Sequence, residues 1–86
     1  MSLVVEISIP AESIRAALVE GAGDLLETIS LVDDYRGAGL EESERSLTFA
    51  LRFRASDRTL TAGEATEAKD AGVALAAKRH GAVLRG

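Results

Sequence analysis

The spacing of apolar residues switches between two and about 3.6 along the chain, and each switch marks an element. Residues 3–9, LVVEISI, open as a strand: Val4, Val5 and Ile7 are β-branched, and the alternation fades after Glu6, which sets a first strand at 2–6. Pro10 suits the first turn of a helix, where its missing N–H costs nothing, and Glu12 adds a carboxylate near the positive end of the helix dipole. Ile14, Ala17, Leu18 and Gly21 then recur at helical spacing, and Gly21 and Gly23 punctuate the end, predicting a helix over 11–22.

Leu25 and Leu26 lead into a second strand, 27–35. Plain alternation puts Asp33 and Tyr35 on the face of Ile29 and Leu31, so this strand is either bulged or runs past the edge of the core. Gly37-Ala38-Gly39 and the acidic stretch 41–44 read as an exposed loop. SLTFALRFRA, residues 46–55, is the cleanest strand: Leu47, Phe49, Leu51 and Phe53 face one way, Ser46, Thr48, Ala50, Arg52 and Arg54 the other. Ser56-Asp57-Arg58 turns the chain. Thr61 and Glu64 have capping-box spacing, with Leu60 where a hydrophobic staple begins. A second helix comes next over 62–79, with Ala65, Ala68, Gly72, Val73, Ala76 and His80 on its inward side and Gly81 as C-cap. A short strand, 82–85, closes the chain. The order β-α-β-β-α-β predicts an α+β, ferredoxin-like fold: a small antiparallel sheet with two helices packed on one face and the other face open.

Eighty-six residues make one domain. Nearly half are apolar, but the aromatics are two Phe and one Tyr, so the expected stability is modest, toward the lower end of about 5 to 15 kcal/mol. The absence of cysteine excludes disulfides, thiolate metal sites and a cysteine nucleophile, and fits a cytoplasmic protein. No apolar run approaches the ~20 residues that span a bilayer, and no membrane partner is expected. The net charge of −4 argues against indiscriminate nucleic-acid binding, and no DNA partner is expected, while leaving room for a local contact.

Candidate chemistry is sparse. His80 is the single histidine and reads as a helix-end residue rather than a catalytic group. Asp33 and Asp34 are adjacent, so in a strand they point to opposite faces and do not form a metal pair. No catalytic residue and no metal site are expected. What remains is Asp33-Asp34-Tyr35-Arg36-Gly37 near Ser46, where a stacking ring is flanked by groups able to read a base edge. A local turn network with a surface tyrosine accounts for the same residues.

The run Leu31-Val32-Asp33-Asp34-Tyr35-Arg36-Gly37 is similar to an F-D-x-Y-R-G segment of a known family. Ser46-Leu47 opening the alternating strand, Asp57-Arg58-Thr59-Leu60-Thr61 before the second helix, and the ending Gly81-Ala82-Val83-Leu84-Arg85 fit the same family. It is the ferredoxin-fold anticodon-binding domain at the C-terminus of the phenylalanyl-tRNA synthetase β chain, and the resemblance covers nearly all of the sequence. It implies a domain that contacts the anticodon stem-loop of tRNA(Phe). Tyr35 would stack on the first anticodon base, Asp33 and Ser46 would hydrogen-bond to it, and Arg36 would touch phosphate or brace the loop. It also implies that aminoacylation, with its ATP and Mg2+, belongs to the parent (αβ)2 enzyme, and that this domain has no cofactor of its own.

The sequence departs from the family pattern at both ends of the fold. Val32 stands where the family has an aromatic residue, and the Arg-Asp that begins the first strand in the family is missing, which favours an excised C-terminal piece of a longer chain. Family-like sequences also carry large side chains where this one has Ala65, Gly72, Ala76 and His80. Large-to-small changes in a core typically cost about 2 to 5 kcal/mol each, so this helix face is expected to be poorly packed. The alternative functional reading is an ACT-like small-molecule-sensing or protein-interaction module on the same fold.

Overall fold

A computed structural model describes residues 1–85. Its elements are β1 (Ser2–Glu6), α1 (Ala11–Ala22), a 3₁₀ turn at Gly23–Leu25, β2 (Leu26–Tyr35), β3 (Glu44–Phe53), α2 (Ala62–His80) and β4 (Val83–Leu84). The strands form one sheet in the order β2-β3-β1-β4, with every neighbouring pair antiparallel. β3 lies between β1 and β2, so the crossover through α1 is the split βαβ of a ferredoxin-like fold.

The core sits between the sheet and the helices. Leu3 and Val5 of β1 and Leu47 and Phe49 of β3 meet Ile14, Ala17 and Leu18 of α1 and Ala76 of α2. Leu47 and Phe49 have the parity read from the sequence, Leu3 and Val5 join them on the same face, and the opposite face of the sheet carries no helix. The expected boundaries shift little. Pro10 is the residue before α1 rather than part of its first turn, and it has no side chain with which to cap the helix. β3 starts two residues earlier than expected and ends at Phe53, although the Arg54 amide still donates to the Leu25 carbonyl at 2.8 Å. The strand after α2 spans Val83–Leu84, and its pairing runs on through the Arg85 amide to the Ser2 carbonyl at 2.8 Å. Thr61 and Glu64 form the capping box, with the Glu64 amide donating to Thr61 Oγ1 at 3.2 Å and the Thr61 amide to Glu64 Oε1 at 3.4 Å.

At Gly72 and Ala76, the helix face expected to be poorly packed is closely packed. Gly21 of α1 and Gly72 of α2 lie against each other's helices. A Cβ on Gly21 would stand 2.6 Å from the Ala71 carbonyl oxygen and 2.7 Å from the Gly72 Cα. A Cβ on Gly72 would stand 2.9 Å from the Leu18 carbonyl oxygen. A Cβ does not approach non-bonded atoms this closely. The expected cavity at Gly72 is therefore absent: the helices have closed to backbone contact, and Ala76 beside it is wholly buried. Gly21, read from the sequence both as part of the inward face and as helix-end punctuation, makes this contact in the last turn of α1. At the end of the pair, Arg79 of α2 grips Glu20 of α1 with Nη1 at 2.5 Å and Nη2 at 2.9 Å. This hydrogen-bonded guanidinium holds the Glu20 carboxyl below its ordinary pKa. The pair is exposed and adds little stability.

Gly72→Ala and Gly21→Ala should each lower stability by about 1 to 3 kcal/mol, because overpacking outweighs the better helix propensity of alanine. For a domain of this size each kcal/mol is about 4 to 8 °C in thermal midpoint. Gly63→Ala is the control, since the nearest atom to its added Cβ is Thr61 Oγ1 at 4.0 Å. A raised midpoint for Gly72→Ala would contradict the backbone contact.

Candidate functional site

The pairing of β2 with β3 decides which side chains reach the open face. Leu31 pairs with Phe49, and the next pair is Asp33 with Thr48, so Val32 is an extra residue without a partner of its own. A bulge of this kind reverses the parity of everything after it. Leu31 belongs to the helix-side parity of Phe49. Asp33 and Tyr35 fall opposite Thr48 and Ser46, on the open face, and Asp34 falls opposite Leu47, on the helix side. Of the two arrangements left open by the alternation, the bulge is the one present. A second irregularity, between Leu26 and Thr28, sets aside Glu27 near the start of the strand.

Tyr35, Ser46, Val4 and Val83 thus form one row across the open face, and Asp33, Thr48 and Ser2 the next. Tyr35 is 42% exposed, and its hydroxyl donates to the Ala38 carbonyl at 3.2 Å, which ties the ring to the β2–β3 loop. Ser46 is 6% exposed: it is the small member of its row, flanked by Tyr35 and Val4, and forms the floor between them. Asp33 is exposed. In its row the Ser2 and Thr48 hydroxyls lie 2.7 Å apart in a hydrogen bond. The result is an aromatic ring held at its edge, with a carboxylate and hydroxyls alongside.

Arg36, just past the end of β2, is not in these rows. It lines a concavity of ≈ 430 Å³ with Gly37, Leu40, Glu41, Glu42 and Glu44. A larger concavity, ≈ 670 Å³, opens at the other end of β2, where Arg54 and Arg58 stand among Asp24, Glu27 and Asp57. Among the described residues, no group of three or more His, Cys, Asp and Glu side chains is arranged to hold a metal ion.

Arg45 is a supporting residue that the sequence pattern did not mark. It has the same parity as Leu47 and Phe49 and is only 9% exposed. Its Nη1 donates to Asp34 Oδ2 at 2.9 Å, and its Nη2 to the Ile9 carbonyl at 2.5 Å. Its Nε is buried without a partner. The guanidinium therefore joins the β1–α1 connection to the end of β2. By holding Asp34 on the helix side, it holds Asp33 and Tyr35 on the other. An arginine in phase with an apolar strand face is the signal that points to it, and a strand expected to begin at Ser46 falls one residue short of including it.

A family model described as the ferredoxin-fold anticodon binding domain matches residues 1–85. The chain is 62% identical over 85 residues to the phenylalanine–tRNA ligase beta subunit of Leifsonia xyli subsp. xyli, covering 99% of this chain and 10% of that protein. It is 56% identical over 86 residues to the subunit of the same name from Thermobifida fusca, covering 100% of this chain and 10% of that protein. The subunit from Streptomyces avermitilis is 55% identical over 85 residues, again covering 99% of this chain and 10% of that protein. The chain thus spans about a tenth of the length of the curated relatives it matches.

The Arg45–Asp34 pair carries an asymmetric prediction. Asp34→Ala leaves a buried guanidinium short of an acceptor and should cost about 1 to 3 kcal/mol in urea unfolding. Arg45→Met replaces the buried charge with an apolar chain and should cost less, because the remaining Asp34 side chain is 36% exposed and can be solvated. Both should speed amide hydrogen exchange around Tyr35. Equal losses in the two variants, with unchanged exchange at Tyr35, would show that the pair does not hold the strand end.

Proposed function

The chain belongs to the ferredoxin-fold anticodon binding domain family, and we propose that it is the anticodon-reading, non-catalytic module of a phenylalanine–tRNA ligase beta subunit. Its partner is the anticodon stem-loop of tRNA(Phe). Aminoacylation, with ATP and Mg2+, takes place elsewhere in an (αβ)2 assembly in the cytoplasm.

The observation that carries this reading is the bulge at Val32, which turns Asp33 and Tyr35 onto the open face beside Ser46 and Thr48. A base stacked on the free face of Tyr35 gains an apolar and π contact that any base can make. Discrimination comes from its edge. Asp33 is an acceptor for base N–H groups, and Ser46 can donate or accept from the floor of the row. Stacking supplies roughly 1 to 3 kcal/mol, and a buried base that loses a hydrogen-bond partner forfeits about as much. Arg36 lines the acidic concavity of the loop rather than the rows that would meet the base. With a net charge of −4, general attraction to a polyanion contributes little, so binding depends on this local set.

Titration of the tRNA(Phe) anticodon stem-loop against the chain, monitored by fluorescence anisotropy at low salt, tests the proposal. Tyr35→Ala should weaken binding by about 5- to 100-fold, the equivalent of one lost stacking contact. Asp33→Ala should weaken it less and narrow the preference for the native first anticodon base, with Ser46→Ala smaller again. Equal affinity of wild type and Tyr35→Ala, or of stem-loops differing at that base, would contradict the assignment. A dimer that tightens with free phenylalanine would favour the small-molecule-sensing alternative.

A further inference from the structure

Among the described residues, Arg85 is an open-face cation that the site above does not use and that no carboxylate answers. Six arginines lie within salt-bridge distance of a carboxylate: Arg15 of Glu12, Arg45 of Asp34, Arg52 and Arg54 of the one Glu27 they share, Arg58 of Asp57 and Glu64, and Arg79 of Glu20. Lys69 and Lys78 belong to α2, on the helix side of the sheet, and Arg36 stands among acidic groups. Among the described residues this leaves Arg85 as the open-face side-chain cation without a carboxylate within salt-bridge distance.

The fold aims it. The Arg85 amide donates to the Ser2 carbonyl at 2.8 Å and continues the pairing of β4 with β1, where Leu84 lies opposite Leu3. Arg85 is therefore in the row of Ser2, Thr48 and Asp33, one row from Tyr35. Its guanidinium crosses toward the β2–β3 loop, where Nη2 would lie 3.1 Å from a Cβ on Gly39. The residue before Gly39 is Ala38, whose carbonyl accepts the Tyr35 hydroxyl. Gly39 has φ +89° and no side chain, so a residue suited to that backbone also leaves the guanidinium its space. A guanidinium without a salt-bridge partner thus reaches the loop whose Ala38 carbonyl ties down the Tyr35 hydroxyl.

We propose that Arg85 is the phosphate contact of this interface, its guanidinium binding the RNA backbone next to the base that stacks on Tyr35. The inference rests on the RNA-binding reading of the open face. The planar fork of arginine suits a phosphate, which it can grip through two N–H groups. A domain of net charge −4 needs one well-aimed cation more than a diffuse field. The contact carries no sequence information, so Arg85 strengthens binding to every base while Asp33 discriminates among them.

The test measures affinities of wild type, Tyr35→Ala, Arg85→Gln and Arg85→Lys for the stem-loop between about 50 and about 200 mM salt, with the native and with an altered first anticodon base. Arg85→Gln should weaken binding by about 3- to 10-fold at the lower salt, equally for both RNAs, and flatten the log–log salt slope by about one. Arg85→Lys should restore most of the slope, because it restores the charge. A purely structural role would instead lower the thermal midpoint, leave the slope alone and gain nothing from lysine. Wild-type affinity and slope in Arg85→Gln, or a loss confined to one of the two RNAs, would overturn the inference. If wild type does not bind, or Tyr35→Ala matches it, the RNA-binding reading fails as well. If Tyr35→Ala weakens binding and Arg85→Gln does not, the Arg85 inference alone is wrong.

Discussion

The extra residue at Val32 is the constraint on which the working surface depends. A strand has a period of two, so one inserted residue exchanges its faces from that point on. Upstream of Val32, Ile29 and Leu31 share the parity of the core-side residues Leu51 and Phe49. Downstream, the same parity of residue number carries Asp33 and Tyr35 to the face without helices. A single strand thus turns Ile29 and Leu31 to the core side along one half and Asp33 and Tyr35 to the helix-free face along the other. The cost is a local break in the ladder, and the Arg45 guanidinium offsets it by tying Asp34 to the Ile9 carbonyl on the helix side.

The helix layer supports this surface from behind with few large side chains. Gly21 and Gly72 let α1 and α2 approach to backbone contact, so small residues such as Ala17, Ala68 and Ala76 suffice to fill the layer there. A cavity penalty applies only where the surroundings fail to collapse. Here they have collapsed, and the small side chains and the close approach depend on each other. Restoring one large residue to α2 would therefore act as overpacking, not as repair.

Most of the fold is legible in the sequence because its signals are local. The Leu47/Phe49/Leu51/Phe53 alternation, the Thr61–Glu64 capping box and the Gly81 C-cap each depend on residues a few positions apart. They place the elements to within one or two residues. The bulge is legible only as a conflict: Asp33 and Tyr35 stand in phase with Ile29 and Leu31, and nothing local says where the extra residue goes. Cross-strand register settles that. Likewise Gly72 resembles a hole in the sequence because its partner, Leu18 on another helix, is invisible to periodicity. Arg45 meets Asp34 and Ile9, and Arg85 reaches the Gly39 loop, contacts that only the folded topology creates. Family resemblance and a stacking-platform pattern single out Asp33, Tyr35 and Ser46, and the bulge supplies the physical reason they share a face.

Chemical-shift mapping tests the placement of the RNA on the helix-free face most directly. The isotope-labelled chain is titrated with the tRNA(Phe) anticodon stem-loop, and the perturbed amides and side chains are plotted on the fold. The expected result is a patch on the helix-free face, centred on Asp33, Tyr35, Ser46, Thr48 and Arg85 and reaching into the 36–40 loop, with α1 and α2 unmoved. Perturbations centred on the helices, or none in the presence of excess RNA, would contradict it.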